Sequence, residues 1–339
     1  MSKTARALPP TQRSALQRFL NGQSDFDVVG RSRLWLIISV GLVLACFVGL
    51  LARGLNFGID FTGGTSFVLE GVNETVDAEE VRDALGAVGV RESIVQFVDS
   101  EAGRGLQVST PDVEEVAGTE RDQIIAALTA LTGVTREQVD VNAVGPRWGA
   151  QISRQALEGL AVFLILVVIY ITIRFDLRMA IAALVTLLHD IVVTIGIYAI
   201  VGFQVSPASV IALLTILGYS LSDTVVVFDR VTENTERLGS ASSRTYGEVA
   251  NEALNQVFVR SLSTSITSLL PVGALLFIGA NLLGAETLSD LALALFVGMG
   301  IGTYSSLVVA APLLVWLKER EPRYAELKQR LSTRRRRVV

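Results

Sequence analysis

The chain has only one cysteine and one histidine among its 339 residues. Cys46 by itself cannot form an intrachain disulfide, and the composition leaves the redox compartment open. His189 by itself cannot build a multi-histidine metal site, and no Cys/His cluster has metal-ligand spacing. No P-loop, catalytic triad or metal motif appears, so ATP hydrolysis has to come from another protein and the chain is not expected to be an enzyme. Long stretches also lack charge almost entirely.

Those stretches set the class. Half of the residues are hydrophobic and the mean hydropathy is +0.50. Six apolar runs, at 34–51, 157–173, 180–201, 206–228, 257–279 and 290–316, are long enough to cross a core of about 30 Å. The expected fold is therefore an α-helical polytopic membrane protein with six transmembrane helices. Its division is a polar, basic N-terminal tail (1–33), a first span (34–52), a soluble-style segment (53–155), spans two to six (156–316, with a loop at 229–256) and a basic tail (317–339). No small-residue cleavage site follows the first run, so that run reads as a retained span.

Residues 53–155 alternate in the manner of a soluble domain. Runs at 65–70, 93–98, 105–109 and 138–144 predict strands. Asp77–Val88 and Thr119–Leu131 predict amphipathic helices with N-cap residues and acidic first turns. The order βαββαβ is that of an α+β ferredoxin-like domain. Arg53 to Arg154 contain 17 acidic and 8 basic residues, a balance that argues against nucleic acid as a partner.

Lysine and arginine are distributed unevenly around the spans. The tails and the loops 174–178 and 229–258 contain 20 of them, whereas the loops 202–205 and 280–289 contain none. The positive-inside rule then puts both termini in the cytoplasm and the acidic domain outside. Tyr246, Val249, Ala253 and Val257 recur at helical spacing and predict a helix lying on the cytoplasmic membrane surface before the fifth span. In the sixth span Ala294, Gly298, Gly302 and Ser306 form a small-residue stripe suited to close helix packing, and Pro312 predicts a kink. The Arg334–Arg337 cluster reads most simply as a solvated tail near anionic membrane lipids, with RNA contact as an alternative.

Polar residues inside the spans are the candidates for function. Asp223 lies in the fourth span, where an unanswered charge costs about 3 to 17 kcal/mol. Arg260, about one turn inside the fifth, is the candidate partner, followed on its face by Thr264. A carboxylate balanced between burial, which raises its pKa, and a nearby guanidinium, which lowers it, is a candidate proton site. A static ion pair holding two helices together is the alternative. In the third span Thr186, Asp190 and Thr194 share a face with His189 beside them, either as part of a pathway or as hydrogen-bonding packing residues. Ser220 shares the face of Asp223. After the first span, Asp60 and the adjacent Gly63 and Gly64 suit a tight turn into the first strand.

Phe57 to Thr65 (FGIDFTGGT), Leu187 to Thr194 (LLHDIVVT), Gly218 to Asn234 (GYSLSDTVVVFDRVTEN) and Asn255 to Ser265 (NQVFVRSLSTS) together resemble the SecF branch of the SecD/SecF family, in the RND superfamily. The likeness covers about residues 25–316. It implies a place in the bacterial plasma membrane and a role in the proton-motive-force-driven late stage of protein export. The implied partners are SecD as a second six-span subunit, the SecYEG translocon, unfolded preproteins and YajC. It implies that Asp223 and Arg260 serve proton passage, with H⁺ as the coupling ion, Na⁺ as the alternative and no cofactor. Asp60, Gly63 and Gly64 become residues that couple the spans to the domain. Ser222 stands where the family usually has Asn, so a hydrogen-bonding group is kept but the amide is lost. A self-contained RND-like exporter of lipids or small molecules, and a structural scaffold, are the competing readings.

Overall fold

The computed structural model describes residues 26–336, apart from 74, 91, 92, 101, 102, 111–118, 145, 237, 239–241 and 280–285. The N-terminal tail up to residue 25, with its arginines, and Arg337 lie outside the described residues. Among the described residues, six helices are long and apolar enough to cross a membrane. They are α1 (Ser32–Arg53), α5 (Pro146–Arg174), α6 (Leu177–Val201), α7 (Pro207–Thr235), α8 (Tyr246–Ala274) and α9 (Glu286–Ser305), the last continued by α10 (Ala311–Lys318). Between α1 and α5 stands the α/β domain.

That domain is built from β2 (Gly64–Leu69), α3 (Ala78–Ala87), β3 (Ile94–Ser100), β4 (Gly103–Thr110), α4 (Thr119–Thr132) and β5 (Val139–Val144). Its antiparallel sheet has the order β3-β4-β2-β5, the ferredoxin-like arrangement expected from the βαββαβ pattern. Phe67 and Leu69 from β2, Leu106 and Val108 from β4, Leu85 from α3 and Leu128 from α4 are fully buried between sheet and helices. Each contributes about 1.5–3 kcal/mol relative to exposure. Asp77 caps α3 with the reciprocal help of Glu80, as the acidic first turn predicts.

The domain is rooted in the bundle at a short junction. β1 (Asn56–Phe57) pairs in parallel with β6 (Gln204–Val205), and the Gly58 N–H donates to the Val205 carbonyl at 2.9 Å. A single turn, α2 (Ile59–Thr62), then leads to the glycine pair. Gly64 has φ +131°, and a Cβ there would lie 2.2 Å from the Thr110 carbonyl oxygen. Only glycine lets β2 start this close to β4. Gly149 on α5 likewise abuts the Phe61 carbonyl, clamping α2 between domain and span.

Three expected boundaries move. The helix predicted to lie on the membrane surface is instead the first part of α8: nothing between Val257 and Arg260 breaks the helix, and Tyr246, Val249, Ala253 and Val257 are buried within the bundle core. The helix that carries the fourth apolar run continues to Thr235, so the segment expected as a loop at 229–256 is helical except between Thr235 and Tyr246. The basic tail includes α11 (Pro322–Arg336), whose Tyr324, Leu327 and Leu331 are buried against the bundle, while Arg334 is exposed. Tyr324 packs on Tyr246 at 4.7 Å between ring centroids.

Pro312 follows a π-helical turn, Ser306–Ala310, which separates α9 from α10. A π turn inside a long helix is a frequent mark of a functional position.

Candidate functional site

The small-residue stripe of α9 decides which side chains meet in the middle of the bundle. Gly298 lies directly against Ile216 of α7, where a Cβ would approach Ile216 Cδ1 to 2.2 Å, and Gly302 lies against Ser220, where a Cβ would approach Ser220 Cβ to 3.0 Å. A further turn along, Ser306 Oγ donates to Asp223 Oδ2 at 2.7 Å. The stripe thus lets α9 approach α7 closely enough for a short hydroxyl to reach the acid. Ser306 had a sequence signal as a packing residue, and its i+4 relation to Gly302 is what could have marked it as the partner of Asp223.

Asp223 is half-buried near the middle of α7 because the helix continues to Thr235. One turn away, the fully buried Ser220 donates to Asp190 Oδ2 at 2.6 Å. Asp190, 1 % exposed and near the middle of α6, also meets His189 Nδ1 through Oδ1 at 3.1 Å. When Asp190 is ionised, His189 Nδ1 has to carry the hydrogen. Two acids from different spans are therefore joined through adjacent turns of α7. His189 Nε2 is buried and has no hydrogen-bond partner among the described residues, and its ring lies 6.4 Å from that of Tyr304, whose hydroxyl pairs with Ser39 of α1 at 2.8 Å.

Arg260 lies elsewhere. It sits near the middle of α8 and is exposed, and among the described residues it makes no ion pair with Asp223. The reason is helical phase. The next residue, Ser261, and Ser265 one turn on are the ones buried in the bundle, and Ser265 meets the Tyr219 hydroxyl of α7 at 3.3 Å. Arg260, Thr264 and Thr267 share an open face, and Ser222 of α7 is exposed as well.

Asp60 belongs to the junction. Burial pushes its carboxyl above the usual range, and it lies within electrostatic reach of Asp290 at the domain end of α9. On the opposite side of the bundle Asp176 caps α6, and Lys318 and Glu321 join Arg178 in an ion-pair cluster around it. Among the described residues no group of three or more His, Cys, Asp or Glu side chains could hold a metal ion.

A multi-pass helical bundle carrying one ferredoxin-like domain, with one buried and one half-buried acid hydrogen-bonded across three spans, defines a class of membrane protein with carboxylates inside its apolar helices. The chain belongs to the SecD/SecF family of protein export membrane proteins, on its SecF branch. The family's C-terminal model matches residues 123–320 and its GG motif matches residues 48–71, which contain Gly63 and Gly64. The protein translocase subunit SecF of Streptomyces coelicolor is 43 % identical over 318 residues, covering 94 % of this chain and 83 % of that protein. The corresponding subunit of Mycobacterium tuberculosis is 42 % identical over 315 residues, covering 91 % of this chain and 70 % of that protein. The crystal structure of SecDF, a translocon-associated membrane protein from Thermus thermophilus, superposes with a TM-score of 0.76 at 32 % identity, covering 88 % of this chain. This chain spans 39 % of that SecDF chain.

Proposed function

We propose that the protein is the six-span subunit of a complex that uses the proton motive force to complete Sec-dependent export of unfolded preproteins across the bacterial plasma membrane. Membership of a protein-export family supports the pathway. Both termini then face the cytoplasm and the α/β domain faces outward, consistent with the positive-inside distribution. The work is transport, with H⁺ as the coupling ion, and requires no cofactor.

One observation carries the coupling: Asp223, half-buried on α7, accepts from Ser306 of a neighbouring helix, and one turn away on α7 Ser220 donates to the buried Asp190. Asp223 is held by the neutral Ser306 hydroxyl and, among the described residues, by no ion pair, and it takes the role of proton carrier in this reading. One charge crossing 100 mV releases about 2.3 kcal/mol, enough for a few protons to bias two arrangements of the bundle. The junction at Asp60, Gly63 and Gly64 transmits that bias to the domain.

SecD is the expected partner, since SecDF of Thermus thermophilus carries the matching region as 39 % of a longer chain. The exposed stripe of Arg260, Thr264 and Thr267 supports the same reading, because an arginine inside a span requires protein or a wet cavity over it. Packing of the partner over this face would bring Arg260 into the polar interior. SecYEG receives the complex, and YajC is a further candidate component. The test is proton flux and preprotein export in vesicles containing the complex: Asp223→Asn should abolish both, and normal flux in that variant rejects the coupling. A complex that instead extrudes lipids or small molecules with export unaffected would point to the self-contained exporter.

A further inference from the structure

Beneath the root of the domain lies a cavity of about 310 Å³ between α5, α6 and α7. Leu157 and Leu160 of α5, Ile195 of α6 and Leu213 and Leu214 of α7 form its walls, and Phe57 and Phe61 of the junction close it toward the domain. The hydroxyls around it are engaged elsewhere. Ser153 donates to the Gly149 carbonyl at 2.9 Å, Ser209 Oγ lies 3.2 Å from Ser206 Oγ, and the hydroxyls of Thr194 and Tyr198 are buried in the wall. A water molecule needs about two to four polar partners, so this space rejects water and accepts an apolar guest. An apolar cavity of ~150 Å³ already binds benzene, and this one reaches the size at which ligand pockets begin.

The mouth of the cavity indicates which guest. Leu157 and Phe57 line it and are at the same time 68 % and 42 % exposed. It therefore opens between α5 and the junction and is continuous with the apolar outer face of α5, where Val162, Ile165 and Ile169 are exposed too. In a bilayer that face meets acyl chains, which are as apolar as leucine. Trp148, exposed and nearer the domain on the same helix, is a residue type that settles at headgroup level. Arg154 follows Ser153 on the flank of the lining stripe. Its Nε donates to Glu158 Oε1 at 2.7 Å, its side chain is largely exposed, and among the described residues its outer N–H groups have no other partner. Those groups form a fork that fits a phosphate.

We propose that this cavity is a phospholipid site in the leaflet nearer the domain, holding one acyl chain between α5, α6 and α7 with the phosphodiester on Arg154. The site does not depend on the coupling role of Asp223. The bound chain packs against Phe57 and Phe61, so it supports the junction from which the domain rises, and its loss changes the footing of the domain.

The test uses the complex of this chain with its six-span partner in vesicles of phosphatidylethanolamine and phosphatidylglycerol, doped with a phospholipid that carries a photoreactive diazirine on one acyl chain. After illumination and digestion, mass spectrometry should find Leu213 and Leu214 labelled several-fold more than Ile211, which is exposed on the same stretch of α7 but outside the cavity. Ala156→Phe, which fills the cavity from α5, should remove that excess and leave Ile211 unchanged. Val210→Phe, which fills it from α7, should do the same, and thermal unfolding shows which of the two is folded. Arg154→Gln should lower labelling by the phospholipid several-fold and leave labelling by a diacylglycerol with the same photoreactive chain unchanged. Equal labelling of Leu214 and Ile211 overturns the site, since the lipid would then be bulk lipid only. Labelling of Leu214 in the isolated chain that vanishes with the partner present overturns it as well, because a helix of the partner would be the occupant. An excess that persists in folded filling variants overturns the cavity as its source, and an Arg154→Gln variant with native labelling overturns the phosphate contact.

Discussion

Ser306 is the side chain that answers Asp223, donating at 2.7 Å from the first residue of a π-helical turn in the sixth span. Removing that hydroxyl leaves a half-buried carboxylate without its bond. Ser306→Ala should cost about 1–3 kcal/mol of stability and change proton flux several-fold, whereas Ser306→Thr, which keeps the donor, should be milder in flux. Thermal unfolding in detergent and vesicle flux measure the two effects.

The contact between α7 and α9 depends on glycine. Gly298→Val places branched carbons where Ile216 already sits, so overpacking should cost about 1–3 kcal/mol and draw Ser306 away from Asp223. Gly300, exposed and with no described atom within 4 Å of where a Cβ would sit beyond its own helix backbone, provides the control: Gly300→Ala should be neutral or slightly stabilising. Denaturation of the two variants side by side decides the matter.

Gly64 is a backbone requirement. At φ +131° and 2.2 Å from a carbonyl oxygen, a methyl group forces β2 away from β4. Gly64→Ala should destabilise the domain root by about 1–3 kcal/mol or more, read as faster limited proteolysis between α1 and α5, while the spans remain assembled.

Two carboxyls outside the spans give opposite pH responses. Burial raises the pKa of Asp176, but the hydrogen bond and charge of Lys318 and the backbone N–H groups of Met179 and Arg178 outweigh it, so the net shift is downward. Its contribution is present above the unfolded value of 3.8 and is lost as pH falls through the lower folded value. Asp176→Asn should therefore flatten the loss of stability below about pH 4. Asp60 is shifted upward by burial, so its ionisation opposes folding once pH rises past 3.8. Asp60→Asn should raise stability at neutral pH even where it impairs export, and unfolding curves from pH 3 to 8 test both signs.

The open face of α8 should be covered in the complex. Thr264→Cys, on the stripe of Arg260, should react with a membrane-permeant thiol reagent in the isolated chain and be protected when the partner is present. The buried native Cys46 provides the unreactive reference.

Local periodicity alone determined much of this protein. Apolar runs near twenty residues can only be spans, and the alternation and capping around Asp77 and Thr119 dictate the order of the domain, because both signals repeat over short distances. The acids at 190 and 223 and the glycines at 63 and 64 were likewise conspicuous, since charge in an apolar run and adjacent glycines are local anomalies. Helix ends were less legible: α8 absorbs its expected surface helix because tertiary burial of Tyr246 and Ala253 continues what the polar residues around them leave ambiguous. What meets what was decided only in three dimensions. Helical phase set Arg260 on the open face, and the glycine stripe of α9 let Ser306 reach Asp223, because a contact between spans depends on the rotation and approach of two helices, which no single stretch of chain encodes.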